Sequence, residues 1–261
     1  MSEPVRVGFI GLGDQGAPMA TAIAERYPLH VWARRETSYA ALGGAPHSTA
    51  LSAAELAASV DILCLCLRKD MDLHELLADG AVLQVLGANK TIINHATGDP
   101  IESEGFERLA NAGGVRFLDA PVSGGRPGAS ARSLTCFVGG QPDVLAACRS
   151  IIACHSSTII HMGPVGSGQM AKLCNNALTI SNLRNIVEVF AMADKLGLSL
   201  PGLREAFPEQ WRQFHSPGAG RENHSGERRP YRRSEQNRPP RICRGFATQR
   251  LGPDILIPMG N

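Results

Sequence analysis

Apolar and polar positions alternate in two rhythms along the first 160 residues. Short runs rich in Val, Ile and Leu at 5–10, 29–32, 62–67, 91–94, 115–120, 135–138 and 158–162 read as strands. Between them, 16–27, 53–59 and 71–77 carry apolar residues at helical spacing. Strands separated by roughly 10–15 helical residues predict βαβ units, hence an α/β fold with a doubly wound, mostly parallel sheet. The unbroken apolar run at 62–67 fits, because a parallel sheet is covered on both faces.

A longer helix is predicted over 169–196, free of proline and stopped by Gly197. Its apolar positions, among them Met170, Leu173, Ala177, Ile180, Leu183 and Val187, cover much of its circumference. Such a helix is expected to be buried between two domains or at a subunit interface. After Ala206 both rhythms stop. Residues 207–261 hold ten arginines, no lysine and seven of the 17 prolines, whereas 1–206 hold 16 basic against 19 acidic side chains. That composition predicts a disordered tail. Three segments result: 1–163, 164–206 with the long helix and the start of an incomplete all-α domain, and 207–261.

Composition excludes several classes. At 43% apolar residues the chain has material for a core, and no apolar run reaches the roughly 18 residues that span a bilayer. The N-terminus enters the first strand without a basic stretch followed by an apolar one, so a cytoplasmic location is expected. The seven cysteines lie mostly in apolar runs at spacings unlike zinc or redox motifs, and are expected to be buried free thiols, with no metal bound.

The chemistry begins at Gly11-Leu12-Gly13-Asp14-Gln15-Gly16, a G-x-G-x-x-G between the first strand and the first helix. Gly11 permits the tight turn, Gly13 the approach of a pyrophosphate, and Gly16 the packing of helix on strand, while the helix N-terminus faces the phosphates. This is a dinucleotide-binding Rossmann turn. At the end of the second strand stand Arg34 and Arg35, with no acid to hold a ribose diol. Two guanidinium groups suit a 2′-phosphate, so NADP is expected, with NAD the alternative.

Three further segments carry a resemblance: Pro18-Met19 after the glycine turn, Asp119-Ala120-Pro121-Val122-Ser123-Gly124-Gly125, and Gly163 through Asn176 at the start of the long helix. In this order they resemble the β-hydroxyacid dehydrogenases, a family that includes 3-hydroxyisobutyrate dehydrogenase and tartronate semialdehyde reductase, with 6-phosphogluconate dehydrogenases as more distant relatives. The resemblance covers residues 4 to about 206. It implies reversible hydride transfer between nicotinamide and a short β-hydroxyacid or its semialdehyde, with Lys172 as acid/base and Asn176 orienting the substrate oxygen. It also implies Ser123, Gly124 and Gly125 as the substrate-binding cradle, Thr97 on the nicotinamide side, and Leu67 and Arg68 in the loop covering the dinucleotide. Lys172 is one of only four lysines in the chain, and both burial and a helix N-terminus lower an ammonium pKa.

The chain departs from the family at Asn94 and Ala96, where aspartate and serine are usual, at Arg68, where proline is usual, and at Arg132, where glycine is usual. His95 is read as a loop histidine. Relatives continue into an all-α domain that closes the site, makes the dimer and carries a second cofactor-contacting lysine. No lysine follows Lys195 here. The tail's composition is what a reading-frame change in a GC-rich gene produces, with a genuine divergent tail as the alternative, and it is read so rather than as a nucleic-acid contact. The alternative to an active dehydrogenase is a dinucleotide-binding relict without its substrate and dimerisation domain. On that view the long helix exposes apolar surface.

Overall fold

Four consecutive buried residues, Val7-Gly8-Phe9-Ile10, make the central strand β1 (Val7–Ile10). The computed structural model describes residues 4–78 and 81–206; the expectations for 207–261 lie outside the described residues. The other strands are β2 (Leu29–Trp32), β3 (Ser48–Thr49), β4 (Ile62–Leu65), β5 (Thr91–Asn94), β6 (Arg116–Asp119), β7 (Val122–Ser123), β8 (Leu134–Gly139) and β9 (Ser156–Gly163). The helices are α1 (Gly16–Ala24), α2 (Ala53–Ser59), α3 (Asp70–Ala78), α4 (Ala81–Leu86), α5 (Pro100–Ala112), α6 (Gly125–Ser130), α7 (Pro142–Ile152), α8 (Ser167–Lys195) and α9 (Leu200–Ala206).

The strand order is β3-β2-β1-β4-β5-β6-β8-β7, with β9 paired to β8. From β3 to β6 every pairing is parallel, the doubly wound order whose direction reverses between β1 and β4. Register explains why the apolar runs lack alternation. Phe9, Cys64, Ile93 and Leu118 are lateral neighbours across four strands and belong to the core on one face. Leu63, Ile92 and Phe117 form the adjacent row and belong to the core on the other. Both faces are covered, as in parallel sheets generally.

Beyond β6 the expectation of parallel pairing changes. Strand β8 runs antiparallel to β6 and β7, because β7 returns to β8 through the six-residue α6 rather than a long crossover helix. Strand β4 is also shorter than the run at 62–67 suggests. The Cys66 N–H donates to the Ile10 carbonyl (2.9 Å), after which the chain leaves the sheet.

Helix α8 extends over 29 residues, about 44 Å at 1.5 Å per residue. It starts two residues before the expected position, and only Gly168, Gln169, Lys172 and Ala193 are buried along it. The expected burial of the whole helix is therefore not seen among the described residues. Its first turns pack on the sheet, while Leu178, Ile180 and Val187 are 60% or more exposed. No helix among the described residues is long and apolar enough to cross a membrane.

Candidate active site

The glycine turn is shaped by what a side chain would strike. Gly11 lies at φ +105°, and a Cβ there would collide with the Cys66 carbonyl; one on Gly16 would collide with the Gly11 carbonyl. A Cβ on Gly13 would meet nothing within 4 Å. The first and last glycines thus bring β1, α1 and the end of β4 together, and the middle one faces open space. That space joins a cleft of about 630 Å³ lined by Gly11, Leu12, Gly13, Arg34, Arg35, Leu67 and Arg68 among others. A bare glycine turn between a strand and a helix N-terminus, opening on such a cleft, fits the pyrophosphate of a dinucleotide. Asp14 lines a neighbouring cleft of about 700 Å³ on the outer side of the turn. Gln15 and Gly16 line neither cleft.

At the end of β2 the Tyr39 hydroxyl accepts the Ala33 N–H (3.1 Å), fixing the segment that carries the two arginines. Arg34 donates to Asp72 Oδ1 (3.2 Å) and Glu75 Oε2 (2.9 Å), both on α3. The acids absent from the end of β2 in sequence are therefore supplied in space by another helix, and both line the same cleft. Nothing near residue 34 could have signalled them.

Lys172, Asn176, Thr97 and the Ser123-Gly124-Gly125 turn line neither cleft; they are gathered instead around the N-terminus of α8. Asp119, fully buried at the end of β6, accepts the Gly166 N–H on Oδ1 (3.0 Å) and the Gln169 N–H on Oδ2 (2.8 Å). A carboxylate here satisfies orphan donors of the helix and complements its dipole. Burial nevertheless pushes the Asp119 carboxyl up to about 6, against those hydrogen bonds. The close fit needs Gly168, whose Cβ would come within 2.6 Å of the Phe137 carbonyl oxygen.

Gln169, also fully buried, joins α8 to the loop after β5. Its Oε1 accepts the Gly98 N–H (3.0 Å) and its Nε2 donates to the Ala96 carbonyl (2.8 Å). Thr97 lies between those two anchored residues and is exposed. Lys172 follows one turn later, 8% exposed and without a hydrogen-bond or ion-pair partner among the described residues. Because α8 begins at Ser167, Lys172 sits in the second turn rather than the first. The dipole weakens beyond the first turn, and burial alone lowers the lysine pKa.

Asn175 donates from Nδ2 to Ser123 Oγ (3.0 Å), tying α8 to the glycine turn, where Gly124 and Gly125 have φ of +127° and +59°. Asn176, four residues beyond Lys172, is half-buried. The helix thus touches Ser123 through Asn175, a residue that sequence reasoning passed over in favour of its neighbour, although i,i+3 spacing shares a face as well as i,i+4 does. Asp119 and Gln169 were also missed as braces; both lay inside the quoted motifs, but only the fold shows what they hold.

Two of the departures from the family pattern, Asn94 and Arg132, have a local setting that the structure makes plain. Asn94 Oδ1 accepts the Ala96 N–H (3.1 Å), a bond an aspartate would also make, while its buried Nδ2 has no hydrogen-bond partner among the described residues. Arg132 adopts φ +56°, the left-handed region that favours glycine. His95 is a packed histidine. Its Nδ1 lies 2.9 Å from the Ala120 carbonyl, and its ring meets His155 edge-on with centroids 4.9 Å apart. Burial pushes His95 down to about 4 and, together with His95, holds His155 well below the usual imidazole value. Of the cysteines, 64, 136, 148 and 154 are buried free thiols, Cys66 is half-buried, and Cys174 on α8 is exposed, contrary to the general expectation of burial.

Comparisons with known proteins agree with this fold. Residues 6–163 match the family model for the NAD binding domain of 6-phosphogluconate dehydrogenase. Mouse mitochondrial 3-hydroxyisobutyrate dehydrogenase is 32% identical over 200 residues, 76% of this chain and 60% of that protein. The NAD-dependent L-serine dehydrogenase of Pseudomonas aeruginosa is 33% identical over 202 residues, 77% of this chain and 68% of that protein. Among solved structures, Mycobacterium tuberculosis 3-hydroxyisobutyrate dehydrogenase superposes with a TM-score of 0.71 at 30% identity, covering 78% of this chain and 70% of that one. The chain thus spans about 60% of the length of the mitochondrial relatives. With the family model matched over more than half of the chain and a 33% identical relative covered over two thirds of its length, the chain belongs to the β-hydroxyacid dehydrogenase family, carrying its nicotinamide-dinucleotide-binding domain.

Proposed function

We propose that the protein is an NADP-linked dehydrogenase that interconverts a short β-hydroxyacid and its semialdehyde. The observation that carries this reading is Lys172: buried, without a counter-ion among the described residues, and one turn from Asn175, which holds Ser123. A buried amine with no carboxylate beside it gives up its proton more readily than an exposed lysine does, which suits it to acid–base work. The nicotinamide, when bound, accepts hydride from the substrate carbon or donates it back. Lys172 takes the hydroxyl proton in oxidation and returns it to the carbonyl oxygen in reduction.

Asn176 orients the reacting oxygen from the same helix face. The Asn175 amide occupies a lone pair of Ser123 Oγ, which leaves the hydroxyl hydrogen free to donate to the substrate carboxylate, with the Gly124 and Gly125 N–H groups completing the cradle. Gly11, Gly13 and the start of α1 hold the pyrophosphate, Leu67 and Arg68 cover it, and Thr97 contacts the nicotinamide side. NADP is assigned because Arg35 lines the cleft at the end of β2 beside Arg34 and has no carboxylate partner among the described residues. The free thiols of the described cysteines suit a reducing cytoplasm.

The test is turnover by the full chain, with NADPH against a panel of short semialdehydes and NADP against the matching hydroxyacids. Saturable turnover with at least one pair is expected. Saturable cofactor binding without turnover on the whole panel would favour the relict reading.

A further inference from the structure

We infer that Asp72 and Glu75 set the discrimination between NADP and NAD by holding Arg34 on α3, so that the 2′-phosphate is read by Arg35 and Ser38. This rests on the dinucleotide reading above and refines it. Arg34 presents its guanidinium to two carboxylates at once, through Nη1 to Asp72 and Nη2 to Glu75. These acids are three residues apart on one helix and share a face. The helix does not simply follow the arginine. At its start Asp70 accepts the Asp99 N–H (2.9 Å), and in its middle His74 Nε2 lies 2.6 Å from Glu102 Oε2. Two independent ties to α5 and its approach keep the carboxylates in place, so the arginine is drawn to the helix.

Arg35 has no ion-pair partner among the described residues. It and Ser38 are the two polar residues shared by the cleft inside the glycine turn and the cleft outside it. The Ser38 N–H donates to the Arg35 carbonyl (3.0 Å), a turn that keeps the hydroxyl beside the arginine. A planar guanidinium with a free fork and an adjacent hydroxyl are the donors a phosphomonoester needs. Asp72 and Glu75 oppose the same phosphate twice, by occupying Arg34 and by placing like charge on the cleft wall. The ribose end therefore carries two guanidinium groups against two carboxylates, and the 2′-phosphate preference of the wild type is the residue of that balance.

The test compares 2′,5′-ADP with 5′-AMP by calorimetric titration of the full chain. The ratio of their dissociation constants isolates the 2′-phosphate. In Asp72→Asn/Glu75→Gln the ratio should move toward 2′,5′-ADP by fivefold or more, because Arg34 is released and two negative charges are removed. In Arg35→Ala it should move toward 5′-AMP by tenfold or more. A ratio unchanged within twofold in the double variant overturns the inference. So does loss of the preference in Arg34→Ala with its retention in Arg35→Ala. Absence of saturable binding of either nucleotide to the wild type overturns the dinucleotide reading itself, and the inference with it.

Discussion

Arg132 holds a backbone conformation that suits glycine better than any side chain, and its ion pair with Glu25 on the surface compensates little. Exposed pairs of this kind are worth about 0–1 kcal/mol, and both partners are 48% exposed. A non-glycine residue in the left-handed region costs about 1–2 kcal/mol. Arg132→Gly should therefore raise unfolding stability by up to about 1 kcal/mol, and Arg132→Val should lower it by about 1–3 kcal/mol, since β-branching makes the strain worse. Urea denaturation of the two variants checks both signs. Lys172 gives a second prediction at this scale. Burial lowers its pKa below the ordinary lysine value of 10.5, so kcat/KM for hydroxyacid oxidation should rise with pH and level off below that value. The mirror profile is expected for reduction, where the ammonium form is needed. An oxidation rate independent of pH across this range would count against Lys172 as the base.

At the scale of elements, α8 is held in place by two side chains that do no chemistry. Asp119 caps its N-terminus from β6, and Gln169 clasps residues 96–98. Gln169→Ala leaves the Ala96 carbonyl and Gly98 N–H without their partner. Each stranded buried group costs about 1–3 kcal/mol, so a loss of about 2–4 kcal/mol is expected. Turnover should fall more than cofactor affinity, because Thr97 and Lys172 lose their common anchor while the glycine turn is untouched. Equal losses in both would point to general destabilisation. Much of the element order was legible from apolar rhythm: β1, β2, β4 and β5 fall inside the expected runs because central parallel strands are apolar on both faces. Helices α5 and α7 were not located, though Asp99-Pro100 and Gln141-Pro142 are helix-start signals. The two-residue β3 and β7 are too short to carry any period. The glycine turn was legible because strand, glycines and helix are contiguous. The Asn175–Ser123 bond spans 52 positions and Arg34–Glu75 spans 41, and no local pattern encodes either.

For the whole molecule, three buried titratable groups among the described residues govern the pH dependence of stability between about pH 4 and 6.5. His95, pushed down to about 4, and His155, also lowered, bind protons more readily unfolded than folded. Each makes stability rise with pH between its folded and unfolded values, by up to about 1.4 kcal/mol per pH unit. Asp119, raised to about 6, works the other way: its contribution is fully present below about pH 4 and is lost as pH rises through 6. Two imidazoles against one carboxyl give a net rise between about pH 4 and 6.5. His95→Gln should flatten that slope and Asp119→Asn should steepen it, as read from denaturation midpoints at half-unit steps. The exposed apolar positions of α8 add a second property. Leu178 on one side of α8 and Ile180 and Val187 on the other, all 60–67% exposed, form apolar surface that should bind a hydrophobic dye and promote association. Replacing all three with glutamine should reduce both.

The central claim, that a lysine on the helix after the dinucleotide-binding domain carries the proton, is tested most directly by Lys172→Ala. With turnover and NADPH affinity measured on the same preparation, turnover should fall by roughly 10²–10⁴-fold while affinity stays within a few-fold. Turnover at the wild-type rate in Lys172→Ala would contradict the account.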